Sequence, residues 1–200
     1  VLAGLADAME RAGTERLRHT PHQKLVVLDV PTDRVDALVT DLDALGLSVA
    51  PSPFRRSTMA CTGIEFCKLA IVETKATASI AVAELEQRLA GVAIEPPITV
   101  HVNGCPNSCA RIQTADIGLK GQIVTVDGEQ VPGFQVHLGG GLASADRDEA
   151  GLGRTVRGLK VTADELPDYV ERVVRRFLAA RVGDGTFAAW VQRTDEEELL

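Results

Sequence analysis

Four cysteines, and only four, occur among the 200 residues of the chain, and they fall into two tight pairs. Cys61 and Cys67 are separated by five residues in ACTGIEFCKLAIVETK, Cys105 and Cys109 by three in NGCPNSC, and 37 residues lie between the pairs. Whatever fold forms has to bring up two thiol-bearing loops from the two sides of a helix-length segment. Cysteines buried simply as small apolar side chains would be expected to scatter rather than pair. A structural zinc ion draws its ligands in pairs with about two to four intervening residues, which suits the second pair better than the first. A cubane iron–sulfur cluster is larger, takes one thiolate on each iron and accepts wider spacings. The neighbouring residues favour the cluster. Gly63, Gly104, Pro106 and Asn107 shape the backbone so that main-chain N–H groups can point at cluster sulfides, and Pro106 fixes φ in the second loop. Spacing and neighbours rank the cluster above zinc and above plain burial, with all three readings standing.

Apolar periodicity organises the rest. Residues 2–12 put Leu2, Leu5, Ala8 and Met9 on one side of a helix that stops at Gly13. KLVVLDV (24–30) is short, β-branched and apolar, the pattern of a buried strand. A helix runs from Pro31-Thr32-Asp33 to Gly46 through Val35, Leu38, Val39, Leu42 and Leu45, and LSVAPSPFRR (47–56), with its two prolines, reads as a linker. Residues 76–90 form a helix with Val82, Leu85 and Leu89 facing inward and Gly91 as its stop. ITVHV (98–102) is a strand leading straight into NGCPNSC. Residues 114–138 carry several strands with a turn at Asp127-Gly128, and HLGGGLASADRDEAGLGR (137–154) reads as a long glycine-rich loop. The last long helix buries Leu166, Tyr169, Val170, Val173, Val174, Phe177 and Leu178, with Asp164 as N-cap and Pro167 in the first turn. An amphipathic stretch with Phe187 and Trp190 and an acidic tail follow. The fold class is α+β, or mixed α/β.

A net charge of −7 argues against nucleic acid as a partner, because phosphate neutralisation needs clustered Lys and Arg. No apolar run reaches the roughly 18 residues of a spanning helix. VLAGLADAMERAG lacks the unbroken apolar centre of an export signal, so a cytoplasmic location is expected, where thiols serve as ligands or catalytic groups more often than as disulfides.

CTGIEFC with KLAIVETK behind it, then GCPNSC and ADIGLKG, resembles the C-terminal half of the ferredoxin-dependent sulfite and nitrite reductases. Glu65, Lys68 and the Ala110-Arg111 pair are most similar to the actinobacterial sulfite-reducing branch. The resemblance covers essentially the whole chain. It implies a partial ferredoxin-like half-domain at 1–50, a linker at 51–56 and a reductase domain that binds siroheme and a 4Fe-4S cluster at 57–200. It implies that Cys61, Cys67, Cys105 and Cys109 hold the cluster and that the Cys109 thiolate also bridges to the siroheme iron. Asn107 then lies beside the macrocycle, and Arg111 is a candidate partner for its carboxylates. The implied activity is six-electron reduction of sulfite to sulfide with reduced ferredoxin as donor, in a protein monomeric at full length. Reduction of nitrite to ammonia is the alternative within the family. A non-catalytic iron–sulfur electron-transfer module, or a zinc-stabilised domain, is the alternative of another class. Because the resemblance is to one half only, the residues gripping the substrate anion are expected in the other half, and these 200 residues alone are expected to bind siroheme poorly and to turn over little substrate.

Other residues suggest less. Arg55, Arg56 and Lys68 flank the first pair as surface charges, with Lys68 positioned to pair with Glu73. His22, His101 and His137 lack partners at ligand spacing and read as satisfied or surface histidines. Gly139-Gly140-Gly141 lacks the Gly-Lys-Ser/Thr ending of a phosphate-binding loop.

Overall fold

The computed structural model describes residues 1–143, 150–183 and 185–200. It divides into two compact units, Val1–Ser52 and Pro53–Leu200. The first holds helix α1 (Leu2–Arg11), a two-stranded antiparallel ribbon of β1 (Leu17–His19) and β2 (Leu25–Val27), and helix α2 (Val35–Ala44). Leu5, Ala8, Met9 and Ala12 of the α1 segment pack against Leu38 and Leu42 of α2. The strand expected to be buried is not: Leu25 and Val26 are exposed, and Val27 and Val30 are half-buried against the small core. A ribbon of two strands has one partner per strand and, here, only six core residues to cover it, so a β-branched run forms without burial.

The second unit is built on a five-stranded mixed sheet in the order β3 (Thr58–Ala60), β4 (Val100–Asn103), β5 (Ile117–Val126), β6 (Glu129–Leu138) and β7 (Arg154–Val161). The first three strands are parallel, and β5, β6 and β7 are antiparallel. Residues 114–138, expected to hold several strands, form one long hairpin of two ten-residue strands, with Asp127 and Gly128 both at positive φ in its two-residue turn. Helix α3 (Pro53–Ser57) occupies part of the segment expected as a linker and buries Phe54. Helices α4 (Lys75–Arg88), α5 (Leu166–Ala180) and α6 (Phe187–Arg193) share one core with the sheet, and a last turn, α7 (Glu196–Leu199), adds Leu199 to it.

Side chains alternate across a strand, and the register turns that alternation into two unlike faces. Val100, Ile117 and Leu138 form one row of the apolar face and Val102, Leu119 and Val136 the next, all in the core with Leu85, Val170, Val174 and Phe177. On the opposite face Met59, His101, Gly118, His137 and Thr155 stand side by side across all five strands.

Helix α5 starts differently from expectation. Asp164 does not cap it. The Thr162 N–H and hydroxyl both donate to Glu165 Oε2, at 2.8 and 2.9 Å, while Glu165 N–H donates back to Thr162 Oγ1 at 3.3 Å. This reciprocal Thr-x-x-Glu pair satisfies two donors where an Asp cap would satisfy one. Pro167 lies in the first turn as expected. The glycine-rich loop expected at 137–154 begins inside β6, and Gly141 and Gly151 bridge to each other across it; residues 144–149 lie outside the described residues.

Candidate functional site

The parallel pairing of β3 with β4 decides where the thiols go. Both strands run the same way, so both cysteine loops leave the sheet at the same end. Cys61 directly follows β3, and its N–H extends the ladder by donating to Val102 O at 2.9 Å. Cys105 follows β4 after one residue, Gly104, which joins the two loops. Gly104 N–H donates to Cys61 Sγ at 3.2 Å, and Gly104 O accepts from Ile71 N–H at 2.7 Å. A main-chain donor thus points at the Cys61 thiol itself.

Packing is tight around Gly104 and closes entirely at Gly121 and Gly63. A Cβ on Gly104 would lie 3.1 Å from both Ala70 Cβ and Val72 O, and one on Gly121 of β5 would lie 2.4 Å from Gly104 C. Gly63 has φ +72°, and a Cβ there would meet Thr74 Oγ1 at 2.5 Å. That buried Thr74 hydroxyl donates to Cys61 O at 2.8 Å and lies 3.8 Å from Cys61 Sγ. Cys67 N–H closes a turn on Gly63 O at 3.0 Å. Glu73 does not pair with Lys68; its carboxylate caps α4 by accepting Lys75 and Ala76 N–H at 2.9 and 3.2 Å. Lys75 reaches back over the first loop, with Nζ 2.8 Å from Glu65 and 4.7 Å from the centre of the exposed Phe66 ring.

All four thiols are free. Cys105 is buried, Cys61 and Cys67 half-buried and Cys109 exposed. Among the described residues no three His, Cys, Asp or Glu side chains converge closely enough to share a single ion.

The second loop folds back over the polar face of the sheet. Ser108 and Arg111 both adopt left-handed φ, at 59° and 54°, and reverse the chain twice. Ile112 O then rests on Gly118, where a Cβ would lie 2.0 Å away. His101 Nδ1 lies 3.2 Å from Arg111 O, and Arg111 Nη2 donates to Met59 Sδ at 3.4 Å. Arg111 is thus turned onto the sheet face. Asn107, by contrast, is exposed at the loop tip. Arg55 is held by both carboxylate oxygens of Glu86, at 2.9 and 2.6 Å, and Arg56 and Lys68 are exposed. His101 and His137 are buried on the polar face. His137 Nδ1 is 3.1 Å from Thr155 Oγ1, and burial, with the nearby Lys120 charge, lowers its pKa below the ordinary histidine value. Two residues that shape the loops lie in quoted stretches without an assigned role: Thr74 in KLAIVETK, and Asn103, the amide that ends the buried strand VHVN. A polar residue ending such a strand immediately before Gly-Cys is the signal that could have marked Asn103.

The model of the nitrite and sulphite reductase 4Fe-4S domain matches residues 52–200. The sulfite reductase (ferredoxin) 1 of Mycolicibacterium paratuberculosis is 58% identical over 99% of this chain and 36% of its own length. The assimilatory ferredoxin-dependent nitrite reductase of Haloferax mediterranei is 35% identical over 94% of this chain and 31% of its own. The solved structure of the Mycobacterium tuberculosis NirA protein superposes with a TM-score of 0.93 at 53% identity, over 100% of this chain and 36% of that one. The chain spans about a third of the length of these relatives. No helix among the described residues is long and apolar enough to cross a membrane.

Proposed function

The chain belongs to the nitrite and sulphite reductase family through its 4Fe-4S domain, and from that membership we propose that it is the C-terminal part of an assimilatory ferredoxin-dependent sulfite reductase, which reduces sulfite to sulfide in the cytoplasm. The reading includes residues 57–200 as the reductase domain and residues 1–50 as part of a ferredoxin-like half-domain. The observation that carries it is the meeting of the two cysteine loops at the ends of β3 and β4, sewn together by Gly104 N–H on Cys61 Sγ.

Cys61, Cys67, Cys105 and Cys109 would hold a 4Fe-4S cluster, with Gly104 N–H stabilising negative charge on one ligand sulfur. Cys109, the one exposed thiol of the four, suits a ligand shared outward with siroheme iron. When bound, the cluster and siroheme would supply the redox-active iron chemistry that the reduction of the anion needs. The chain's own residues ligate, fix the loops and exclude water from the buried Cys105 side. Asn107 at the loop tip and Arg111 behind it are the candidate macrocycle contacts, Arg111 by rotating its guanidinium off Met59. Reduced ferredoxin is the proposed donor.

Sulfite is favoured over nitrite because the sulfite-named relative is 58% identical and the nitrite-named one 35%. Iron and acid-labile sulfide analysis, with the visible spectrum, tests the cofactors in the protein that carries this chain. Four irons and four sulfides with strong macrocycle bands are expected. Steady-state rates with reduced ferredoxin then compare the two anions, and clearly faster nitrite turnover would overturn the choice of sulfite.

A further inference from the structure

The loop carrying Cys105 and Cys109 is closed by a side chain rather than by a backbone ladder. Asn103, the last residue of β4, is fully buried. Its Nδ2 donates to Cys105 O at 2.7 Å, and its Oδ1 accepts from Ala110 N–H at 2.8 Å. One amide thus grips the chain at the first thiol-bearing residue and again immediately after the last. Within the loop, Pro106 has no N–H to contribute, and Ser108 holds a left-handed φ of 59° that a free loop would readily leave. Arg111 N–H on Ser108 O, at 2.8 Å, locks the next turn and leaves the spacing across the thiols to Asn103.

We propose that Asn103 is a positioning residue that presets the separation and direction of the Cys105 and Cys109 thiols, so that the cluster meets a loop already in its bound shape. The proposal rests on the cluster-binding reading above. Only a planar amide of this length offers a donor and an acceptor to both ends of the loop at once. Leucine at 103 fills similar space and offers neither, leaving a carbonyl and an N–H buried without partners. Serine is too short to span both. Partners that orient metal ligands typically weaken metal retention by about 10- to 100-fold when removed.

The test uses the protein carrying the full chain, loaded with cluster. Its readouts are the rate of iron loss to a ferrous chelator and the reduction potential of the cluster from a titration followed by electron paramagnetic resonance. Asn103→Leu is expected to lose iron about 10- to 100-fold faster than wild type and to shift the potential, and Asn103→Ser to do both to a smaller degree while remaining foldable. Gln135→Leu is the structural control. Gln135 is buried and donates only to Val136, Val156 and Leu159 carbonyls, so its loss lowers the melting temperature without touching the thiol loop. It is expected to keep wild-type iron loss and potential. Wild-type iron loss and potential in both Asn103 variants would overturn the proposal alone, as would equal changes in Gln135→Leu. A wild-type protein without iron and labile sulfide would overturn the cluster reading together with it.

Discussion

Gly121→Ala isolates the packing that joins the two cysteine loops. The new Cβ would stand 2.4 Å from Gly104 C, 2.5 Å from Gly104 O and 2.7 Å from Val72 Cγ2. Carbon atoms rest at about 3.5–4.0 Å, so Gly104 would have to retreat by roughly 1 Å. Gly104 is backbone and cannot rotate away. Its retreat stretches both the 3.2 Å N–H contact to Cys61 Sγ and the 2.7 Å bond from Ile71 N–H. Overpacking costs about 1–3 kcal/mol, and each weakened hydrogen bond up to about 1 kcal/mol. The stiffer unfolded chain returns about 0.4–1 kcal/mol. These terms sum to roughly 0–5 kcal/mol, centred near 2–3 kcal/mol, a fall of about 5–10 °C in the melting temperature of a unit this size. Gly4→Ala makes the comparison. Its Cβ would come within 2.7 Å of Leu45 Cδ2, a nominal clash of similar size, but against the far end of a flexible side chain and inside helix α1, where Ala gains about 1 kcal/mol over Gly. Circular dichroism melts of both variants, with iron and sulfide counts, form the assay. Gly4→Ala should melt at or slightly above wild type with full iron, and Gly121→Ala well below it with depleted iron. A Gly121→Ala protein melting within a degree of wild type with its full iron would refute the claim that backbone contact at Gly104 holds the loops.

Cys109→Ser should disturb siroheme and cluster spectra together, whereas Cys61→Ser should reach the siroheme bands only through loss of the cluster; an intact coupled spectrum in Cys109→Ser would sink the bridging assignment. His137 supplies a pH dependence. Its folded pKa is depressed by burial and Lys120, so the unfolded chain binds the proton more tightly and stability falls as pH drops below the ordinary value of 6.5. Denaturant unfolding of His137→Gln between pH 7.5 and about 5 should show a shallower decline than wild type, and identical slopes would exclude His137 as the source.

How far the site was legible depended on the range of the forces that build it. The thiol pairs, the glycines beside them and the turn at Asp127-Gly128 are local devices whose backbone requirements are written in the residues themselves, and the turn stands where its pattern suggested. Burial is not local. KLVVLDV has the composition of a core strand, yet Leu25 and Val26 are exposed because a two-stranded ribbon offers them nothing to pack on, a fact held by the surroundings and not by the run. The pairing of β3 with β4 joins segments about forty residues apart, and that pairing together with β4–β5 makes Asn103, Gly104, Thr74 and Gly121 parts of one arrangement. Asn103 illustrates the boundary. Read along the chain it is a polar residue ending an apolar strand, an ordinary loop signal. Only in the fold does its amide acquire two buried backbone partners, Cys105 O and Ala110 N–H, and a buried amide serving both ends of a loop is a constraint on that loop's shape. Chemistry was legible where it lies in atom types, and the positioning of that chemistry emerged only with long-range contacts. For this reason spacing could mark the four sulfurs as a candidate set, with cluster, zinc and plain burial all open, while the side chains packed around them had to wait for the sheet.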